Sequence, residues 1–167
     1  MITKTSLLAT RALLCLAKDQ QATATAPRSI ALRLGESPAY MSKVLRSLVK
    51  AGILRAEHGS KGGVLLNRRP HEITLLAVIE ACQGTIVGSY CQDIDNIGAT
   101  CAFHRAAVEL RETIKSVLSH WNLEHLAKTP GRTECLPDGK QCMMAAFPLS
   151  PGAAGEAKPA RKRSAVK

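Results

Sequence analysis

A three-residue turn between two short amphipathic segments constrains the fold of this chain more than any other feature. Gly35-Glu36-Ser37 separates a segment that begins at Pro27 from one that begins at Pro38. Proline is well tolerated in the first turn of a helix, and the Ser37 hydroxyl can cap the second segment. Gly52 follows that segment and can adopt the left-handed conformation that ends a helix. This order predicts a helix-turn-helix.

A glycine-rich hairpin is predicted directly after the second of these helices. Residues 53–57 and 64–67 are strand-like, and the six residues between them include three glycines. Glycines at a hairpin tip permit a tight turn and a close approach of the backbone to another molecule. Helical patterns lie upstream over residues 3–18 and downstream up to Gly84. The sequence therefore predicts a mainly α domain over residues 1–84 with a small β-hairpin wing.

The longest periodic segment follows an irregular stretch at residues 85–101. Its apolar residues are spaced 4-3-4-3-4, the pattern of a helix that packs along a partner helix. About 24 residues of helix would reach roughly 36 Å, longer than a small N-terminal domain can cover. We therefore predict a dimerisation helix over residues 102–128 that pairs with a second copy; packing within its own chain is the alternative. The predicted interface comprises Phe103, Ala107, Leu110, Ile114, Val117 and Trp121.

Charge is unevenly distributed along the sequence. The net charge is +10, with +9 in residues 1–70, −3 in residues 71–129 and +4 in residues 130–167. A basic N-terminal half suits a phosphate-binding surface, because neutralised phosphates release condensed counterions. Ribosomal and membrane-surface proteins are also basic, so the charge by itself does not select among these classes.

Composition favours packed helices over a β-sandwich. The apolar fraction is 46% and only five residues are aromatic, so Leu, Ile, Val and Ala must build the core. No run approaches the ~18 apolar residues of a membrane span. The first residues do not resemble a signal peptide, so we expect a cytoplasmic protein. Residues 129–167 are predicted to be a disordered basic tail, which could add nonspecific DNA affinity or serve only solubility.

The polar face of the second helix of the helix-turn-helix is the candidate DNA-binding surface. Such a helix enters the major groove by its N-terminal end, so Tyr40, Ser42 and Lys43 are placed to meet base edges. Arg46 and Lys50 lie further along and are expected to contact phosphates. Any one of these residues could simply be a solvated surface residue. The DNA-binding interpretation depends on the arrangement as a whole. Further candidates are the hydroxyls of Ser29 and Ser37 and the wing residues His58 and Lys61.

These segments resemble the winged-helix repressor family typified by the iron–sulfur regulator IscR and the nitric-oxide sensor NsrR. The resemblance covers residues 1–126, and its most specific parts are the Gly-Gly-x-Leu of the wing and the Ile-Thr-Leu of the next helix. It implies a winged helix-turn-helix, a homodimer formed by crossed long helices, and binding to a near-palindromic operator in double-stranded DNA. The matching segments are residues 30–35, 40–45, 48–54, 59–66 and 73–82.

Two base-reading positions depart from the residue types of IscR. The resemblance implies that Tyr40, Ser42, Lys43 and His58 lie where family members read DNA. Ser42 stands where IscR carries a glutamate, and His58 stands where it carries an arginine. We therefore expect this chain to recognise a different operator.

The resemblance also implies a sensor in the cysteine-bearing loop over residues 85–101. Many family members hold an iron–sulfur cluster there with three cysteines and a nearby residue as ligands, and the member most similar in this loop has the pattern Cys-x5-Cys-x5-Cys-x2-His. Here Cys91, Cys101 and His104 match the first, third and fourth elements, and Asp95 stands near the missing middle cysteine. A carboxylate is a harder and weaker ligand for iron than a thiolate, so we expect a loosely held [2Fe–2S] cluster.

Other interpretations of this loop stay open. The same four residues could hold one Zn²⁺ or Fe²⁺, or Cys91 and Cys101 could form a thiol–disulfide switch. The chain could also lack a cofactor and be regulated by a protein partner. Cys15 and Cys82 lie on apolar helix faces and are expected to be inert core thiols. An enzyme is disfavoured, because the sequence has neither a phosphate-binding glycine loop nor a recognisable nucleophile–base arrangement.

Overall fold

The structure is a computed structural model that describes residues 2–19, 23–59, 62–86, 101–128 and 144. The described chain runs through three helices, a β-hairpin, a short 3-10 turn at Pro70–Glu72 and three further helices. The elements are α1 (Lys4–Lys18), α2 (Pro27–Leu34), α3 (Pro38–Lys50), β1 (Leu54–Glu57), β2 (Gly63–Leu66), α4 (Leu75–Gln83), α5 (Ala102–His120) and α6 (Leu123–Lys128).

One hydrophobic core joins the helices of the N-terminal region. α1 contacts α2, α3, α4 and α6. Its residues Ala9, Ala12 and Leu13 are fully buried, as their three- and four-residue spacing on one helix face requires. Leu123 of α6 belongs to the same core, although α6 follows α5 in the chain. α3 contributes Met41, Val44, Leu45 and Leu48.

Local capping confirms the boundaries predicted for the first three helices. Thr3 caps α1 and Ser37 caps α3; each hydroxyl accepts a hydrogen bond from the backbone N–H three residues later. Gly35 ends α2 and Gly52 follows α3, and both have φ of 68°. A residue with a Cβ is strained in this left-handed region. Capping hydroxyls and glycines therefore set the length and direction of the helix-turn-helix.

The wing is anchored to the rest of the domain by a third piece of extended backbone. β1 and β2 are antiparallel, and Glu57 lies opposite Gly63. Thr25, between α1 and α2, exchanges two backbone hydrogen bonds with Val64, each 3.0 Å long. A Cβ atom built on Gly63 would lie 2.5 Å from the Thr25 carbonyl. Glycine at this position is therefore what permits the close approach of the two backbones.

The long helix is shorter than the sequence predicts. The heptad pattern predicts one helix over residues 102–128, but α5 ends before Trp121 and α6 begins at Leu123. The backbone of Trp121 is extended, and its carbonyl accepts a hydrogen bond of 2.8 Å from Leu75 N. Leu123 N donates to Ile73 O over 2.9 Å. This pairing with the start of α4 requires extended backbone, so it interrupts a helix that periodicity alone would continue.

Two regions fall almost entirely outside the described residues. The predicted sensor loop over residues 85–101 is described only at its ends, and the predicted tail over residues 129–167 only at Met144. Met144 is half-buried and packs against the hydrophobic core. Among the described residues, no helix is both long enough and apolar enough to cross a membrane.

Candidate nucleic-acid interface

Helix α3 has a buried apolar face and an exposed basic face. Its apolar side packs against α1, α2 and α4. On the other side Lys43, Arg46 and Lys50 are all exposed. These side chains recur at intervals of three and four residues, so they form one basic strip along the helix. Such a strip can follow the phosphates while α3 lies in the major groove.

Two polar residues at the start of α3 make contacts that the sequence does not reveal. Tyr40 is half-buried, and its hydroxyl is 2.9 Å from Thr5 Oγ1 on α1. Ser42 is half-buried as well, and its hydroxyl donates to Pro38 O over 2.8 Å. The Thr5 contact spans 35 residues, so no local pattern predicts it. The Tyr40 bond orients the start of α3 against α1, whereas the Ser42 bond lies within α3. Lys43 is the most exposed of the three predicted base-reading candidates.

The wing and the first turn of α2 carry the remaining candidates. His58 is exposed directly after β1, and Ser29 is exposed beside the exposed Arg28 at the start of α2. The N-cap of α2, Ala26, offers no side-chain cap, so this turn can donate its N–H groups to a phosphate. Lys61 lies outside the described residues.

The carboxyl end of α3 is held by two residues that directly follow the wing. Arg68 Nε donates to Gly52 O over 3.2 Å, and Arg68 Nη2 donates to Ala51 O over 3.3 Å. Asn67 Nδ2 donates to Gly52 O over 3.1 Å. No sequence pattern predicts these contacts, because the partners of Asn67 and Arg68 lie 15 to 17 residues earlier and no capping motif spans that distance.

Helix α5 leaves a strip of apolar side chains exposed. It packs on α4, and the only buried residue within this fully described helix is His104. Two of the six predicted interface residues, Ala107 and Ile114, are half-buried. The other four are exposed to solvent: Phe103 (70%), Leu110 (58%), Val117 (52%) and Trp121 (45%).

The start of α5 holds two of the four predicted cluster ligands. Cys101 is exposed at the N-cap, and its side chain makes no capping hydrogen bond. His104 follows one turn later, and its buried Nδ1 has no hydrogen-bond partner among the described residues. Cys91 and Asp95 lie outside those residues. Within the described part of the chain, no group of three metal-binding side chains occurs.

Two other cysteines lie in or against the core. Cys15 is buried in α1. Cys82 is half-buried near the end of α4, and burial raises the pKa of its thiol to about 11. A thiol with this pKa stays protonated at neutral pH and is a poor nucleophile and metal ligand. Its chemistry matches the inert role predicted for Cys82.

A helix-turn-helix with an exposed basic strip, followed by an anchored hairpin wing, defines a winged-helix DNA-binding protein. The Rrf2 family, described as an iron-dependent transcriptional regulator, matches residues 2–129. The chain therefore belongs to the Rrf2 family, which confirms the resemblance and the fold class inferred from the sequence. It is a DNA-binding transcriptional regulator, and its relatives are regulators rather than enzymes.

Individual relatives agree with this assignment. YffB of Lactococcus lactis, an HTH-type transcriptional regulator by name, is 30% identical over 107 residues, 59% of this chain and 69% of YffB. IscR of Serratia proteamaculans is 30% identical over 99 residues, 58% of this chain and 60% of that protein. The structure of CymR (YrzC), the global cysteine regulator of B. subtilis, gives a TM-score of 0.62 at 26% identity and covers 77% of this chain and 96% of CymR.

Proposed function

We propose that this chain is a transcriptional repressor that binds a near-palindromic operator as a homodimer. The exposed apolar strip of α5 carries this proposal, since Leu110 and Val117 are each more than half exposed in the described part of the chain. Burying one such side chain contributes about 1.5–3 kcal/mol. A second copy of α5 presents the same strip, and a twofold contact lets each strip cover the other. Rrf2 regulators are typically dimeric, which supports the same arrangement.

A twofold dimer determines the form of the operator. It presents two copies of α3, and therefore two basic strips, to the same duplex. The two half-sites are then inverted repeats separated by the distance between the recognition helices. In this arrangement Lys43 would reach base edges, and Arg46 and Lys50 would contact phosphates. His58 and Lys61 of the wing would flank the minor groove.

Selection from a library of random-sequence duplexes tests the operator proposal. The full-length protein should enrich a consensus of two inverted half-sites. Arg46→Ala should weaken binding to all sequences alike and lower the salt slope of binding by ~1. Lys115→Ala removes the same charge from α5 and should leave the slope unchanged. A consensus without inverted symmetry, or equal slopes for the wild type and Arg46→Ala, would contradict the proposed interface.

We further propose that the loop over residues 85–101 and the start of α5 bind a [2Fe–2S] cluster. The described half of the ligand set fits such a group. Cys101 is exposed, and His104 presents a buried Nδ1 without a partner in the described part of the chain. Cys101 is the N-cap of α5 and His104 lies in its first turn, so both residues lie at the same end of the helix. Cys91 and Asp95 would complete the set.

These ligands would connect the loop to the dimer helix. When bound, such a cluster supplies a redox-active group whose potential depends on its ligands and exposure. α5 is tied to α4 at its far end by the hydrogen bond between Trp121 O and Leu75 N. A change at Cys101 is therefore transmitted along α5 to the spacing of the two DNA-binding regions. Asp95 would hold iron less tightly than a thiolate, which favours sensing over a permanent structural role.

Anaerobic purification tests the sensor proposal. The protein should be coloured and should contain iron and sulfide. Cys101→Ala should remove the colour and change operator affinity. Cys82→Ala alters a thiol that stays protonated and should change neither, so it is the matched control. A colourless, iron-free wild type would contradict the cluster.

A second candidate is regulation without a cluster, by a thiol–disulfide switch or a protein partner. The aspartate near the position of the middle cysteine favours it, and so does the similarity to CymR, a global cysteine regulator by title. A switch requires that oxidation of Cys91 and Cys101 changes the operator affinity of metal-free protein. If oxidation has no effect on iron-free protein, the partner-regulated alternative is favoured.

A further inference from the structure

We propose that Asn67 and Arg68 form a latch that fixes the wing to the carboxyl end of the recognition helix, and that Arg68 is a positioning residue for DNA recognition. The inference rests on the proposed role of α3 as that helix. The latch holds the two DNA-contacting elements of the domain, α3 and the hairpin, in one relative orientation.

Three side-chain hydrogen bonds make up the latch. The Arg68 guanidinium spans the carbonyls of Ala51 and Gly52, and the Asn67 amide adds a second donor to Gly52 O. The backbone joins the contact, because Asn67 N donates to Ile53 O over 2.9 Å. Asn67 and Arg68, which directly follow β2, are thus bonded to each of the three residues that link α3 to β1.

The chemistry of a helix end explains why an arginine suits this position. The carbonyls of Ala51 and Gly52 directly follow the last residue of α3, so they lie at the negative end of the helix dipole. A guanidinium carries a fixed charge and donates in a rigid planar fork, so one side chain can reach two adjacent carbonyls. Lysine keeps the charge but cannot reproduce the fork.

The link between α3 and β1 is the place where such a constraint matters. Gly52 has φ of 68°, a conformation that glycine adopts freely, and it lies between the recognition helix and the first strand of the wing. The backbone of this link is bonded on the α3 side, where Ile53 N donates to Leu48 O over 3.0 Å, and the latch adds bonds from the residues that follow β2. The other anchor of the wing, Thr25 against Val64, joins it to the loop before α2 and not to α3.

Arg68 is also exposed, so a direct phosphate contact is the competing explanation. The two roles predict different behaviour. A phosphate contact supports binding to every sequence, contributes to the salt slope and tolerates lysine. A latch sets the geometry in which α3 reads base edges, so its loss lowers the preference for the selected sequence. Replacing Arg68 with lysine should therefore impair a latch.

Binding to two probes separates these roles. The probes are the duplex that the wild type selects from a random library and a shuffled duplex of equal composition. Arg68→Lys should lower the preference for the selected duplex by about three- to tenfold at an unchanged salt slope, the scale of one or two lost hydrogen bonds. Asn67→Ala should act in the same direction. Arg69→Lys alters the adjacent exposed arginine and should preserve the preference.

The possible results either support or overturn the latch. It is overturned if Arg68→Lys keeps the wild-type preference, or if Arg68→Gln lowers the salt slope by ~1 while preference is kept, as a phosphate contact predicts. It is also overturned if Arg69→Lys causes the same loss as Arg68→Lys. If the wild type prefers neither duplex, the proposed function and the latch are both overturned. If the wild type has a clear preference, the variants test the latch separately from the proposed function.

Discussion

The N-terminal head, defined as residues 2–86 with α6, and helix α5 differ in how they bury apolar side chains. In the head, large residues such as Leu13, Met41 and Leu48 have no exposed surface. In α5, Phe103, Leu110 and Val117 are more than half exposed, and the only buried residue is His104. Each region has an amphipathic pattern in its sequence. Among the described residues, the apolar side chains of the head cover one another, whereas those of the α5 strip stay largely exposed.

The difference shows that a hydrophobic pattern predicts which helix face is buried, but it does not predict which surface covers that face. The head has several short helices that cover one another, so its core closes within one chain. α5 is fixed to the head at its C-terminal end, where Leu123 of the following helix enters the core. The rest of its apolar strip extends past this anchor, and we propose that a second copy of the chain covers it.

Charges on the exposed strip should have the largest effect. Leu110 and Val117 are exposed in the single chain, so replacing both with aspartate leaves the head intact. In a dimer the carboxylates would be buried without partners, which costs several kcal/mol. The dissociation constant of the dimer should rise by more than about a hundredfold, as measured by sedimentation velocity.

A matched variant separates this effect from added charge. Ser116→Asp with Ser119→Asp adds two carboxylates to exposed positions on the opposite side of the same helix. This variant should stay dimeric. If both double variants dissociate equally, the strip is not the interface.

Truncating a leucine in the head core should have the next largest effect. Leu48 is completely buried, so Leu48→Ala should lower the free energy of unfolding by about 2–5 kcal/mol. Leu32 on α2 is 84% exposed, and Leu32→Ala should change stability by less than about 0.5 kcal/mol. Urea denaturation of the two variants checks the comparison, and similar losses would contradict a self-contained head core.

A methyl group on Gly63 should weaken the wing without affecting the dimer. The new Cβ would collide with the Thr25 carbonyl, and overpacking of this kind costs about 1–3 kcal/mol. Operator affinity should fall while the sedimentation coefficient stays that of the wild type. Ala56→Ser changes an exposed residue of β1 and should leave operator affinity unchanged. An undiminished affinity for Gly63→Ala would show that the wing anchor is unimportant for binding.

Loss of the α3 cap should have the smallest effect. Ser37 Oγ accepts the Tyr40 backbone N–H at the start of the recognition helix, and Ser37→Ala should cost about 1 kcal/mol of stability. Ser42→Ala removes a hydroxyl that bonds only to a carbonyl of its own helix and should be close to neutral. Thermal unfolding of both variants measures the difference, and equal melting temperatures would show that the cap does not stabilise α3.

The features that the sequence predicted correctly depend on local rules. The cap at Ser37 and the glycines at 35 and 52 set helix ends through contacts within a few residues. Together with the apolar spacing, they gave the helix-turn-helix and the wing. The basic strip followed as well, because positions on the free face of a helix are defined once its buried face is known.

The features that the sequence missed depend on contacts between distant residues. The break at Trp121 arises from pairing with the start of α4, which overrides a continuous heptad pattern. The Thr5 bond to Tyr40 and the Arg68 bonds to the end of α3 join separate elements. Of the candidate sensor, the helical positions of Cys101 and His104 could be predicted, while the proposed roles of Cys91 and Asp95 rest on the family resemblance.

Sedimentation equilibrium of the full-length wild type tests the central claim most directly, that α5 needs a second copy to bury its strip. Over micromolar concentrations, the account predicts a single species with twice the mass of the 17.9 kDa chain. A species with the mass of one chain throughout this range would contradict it.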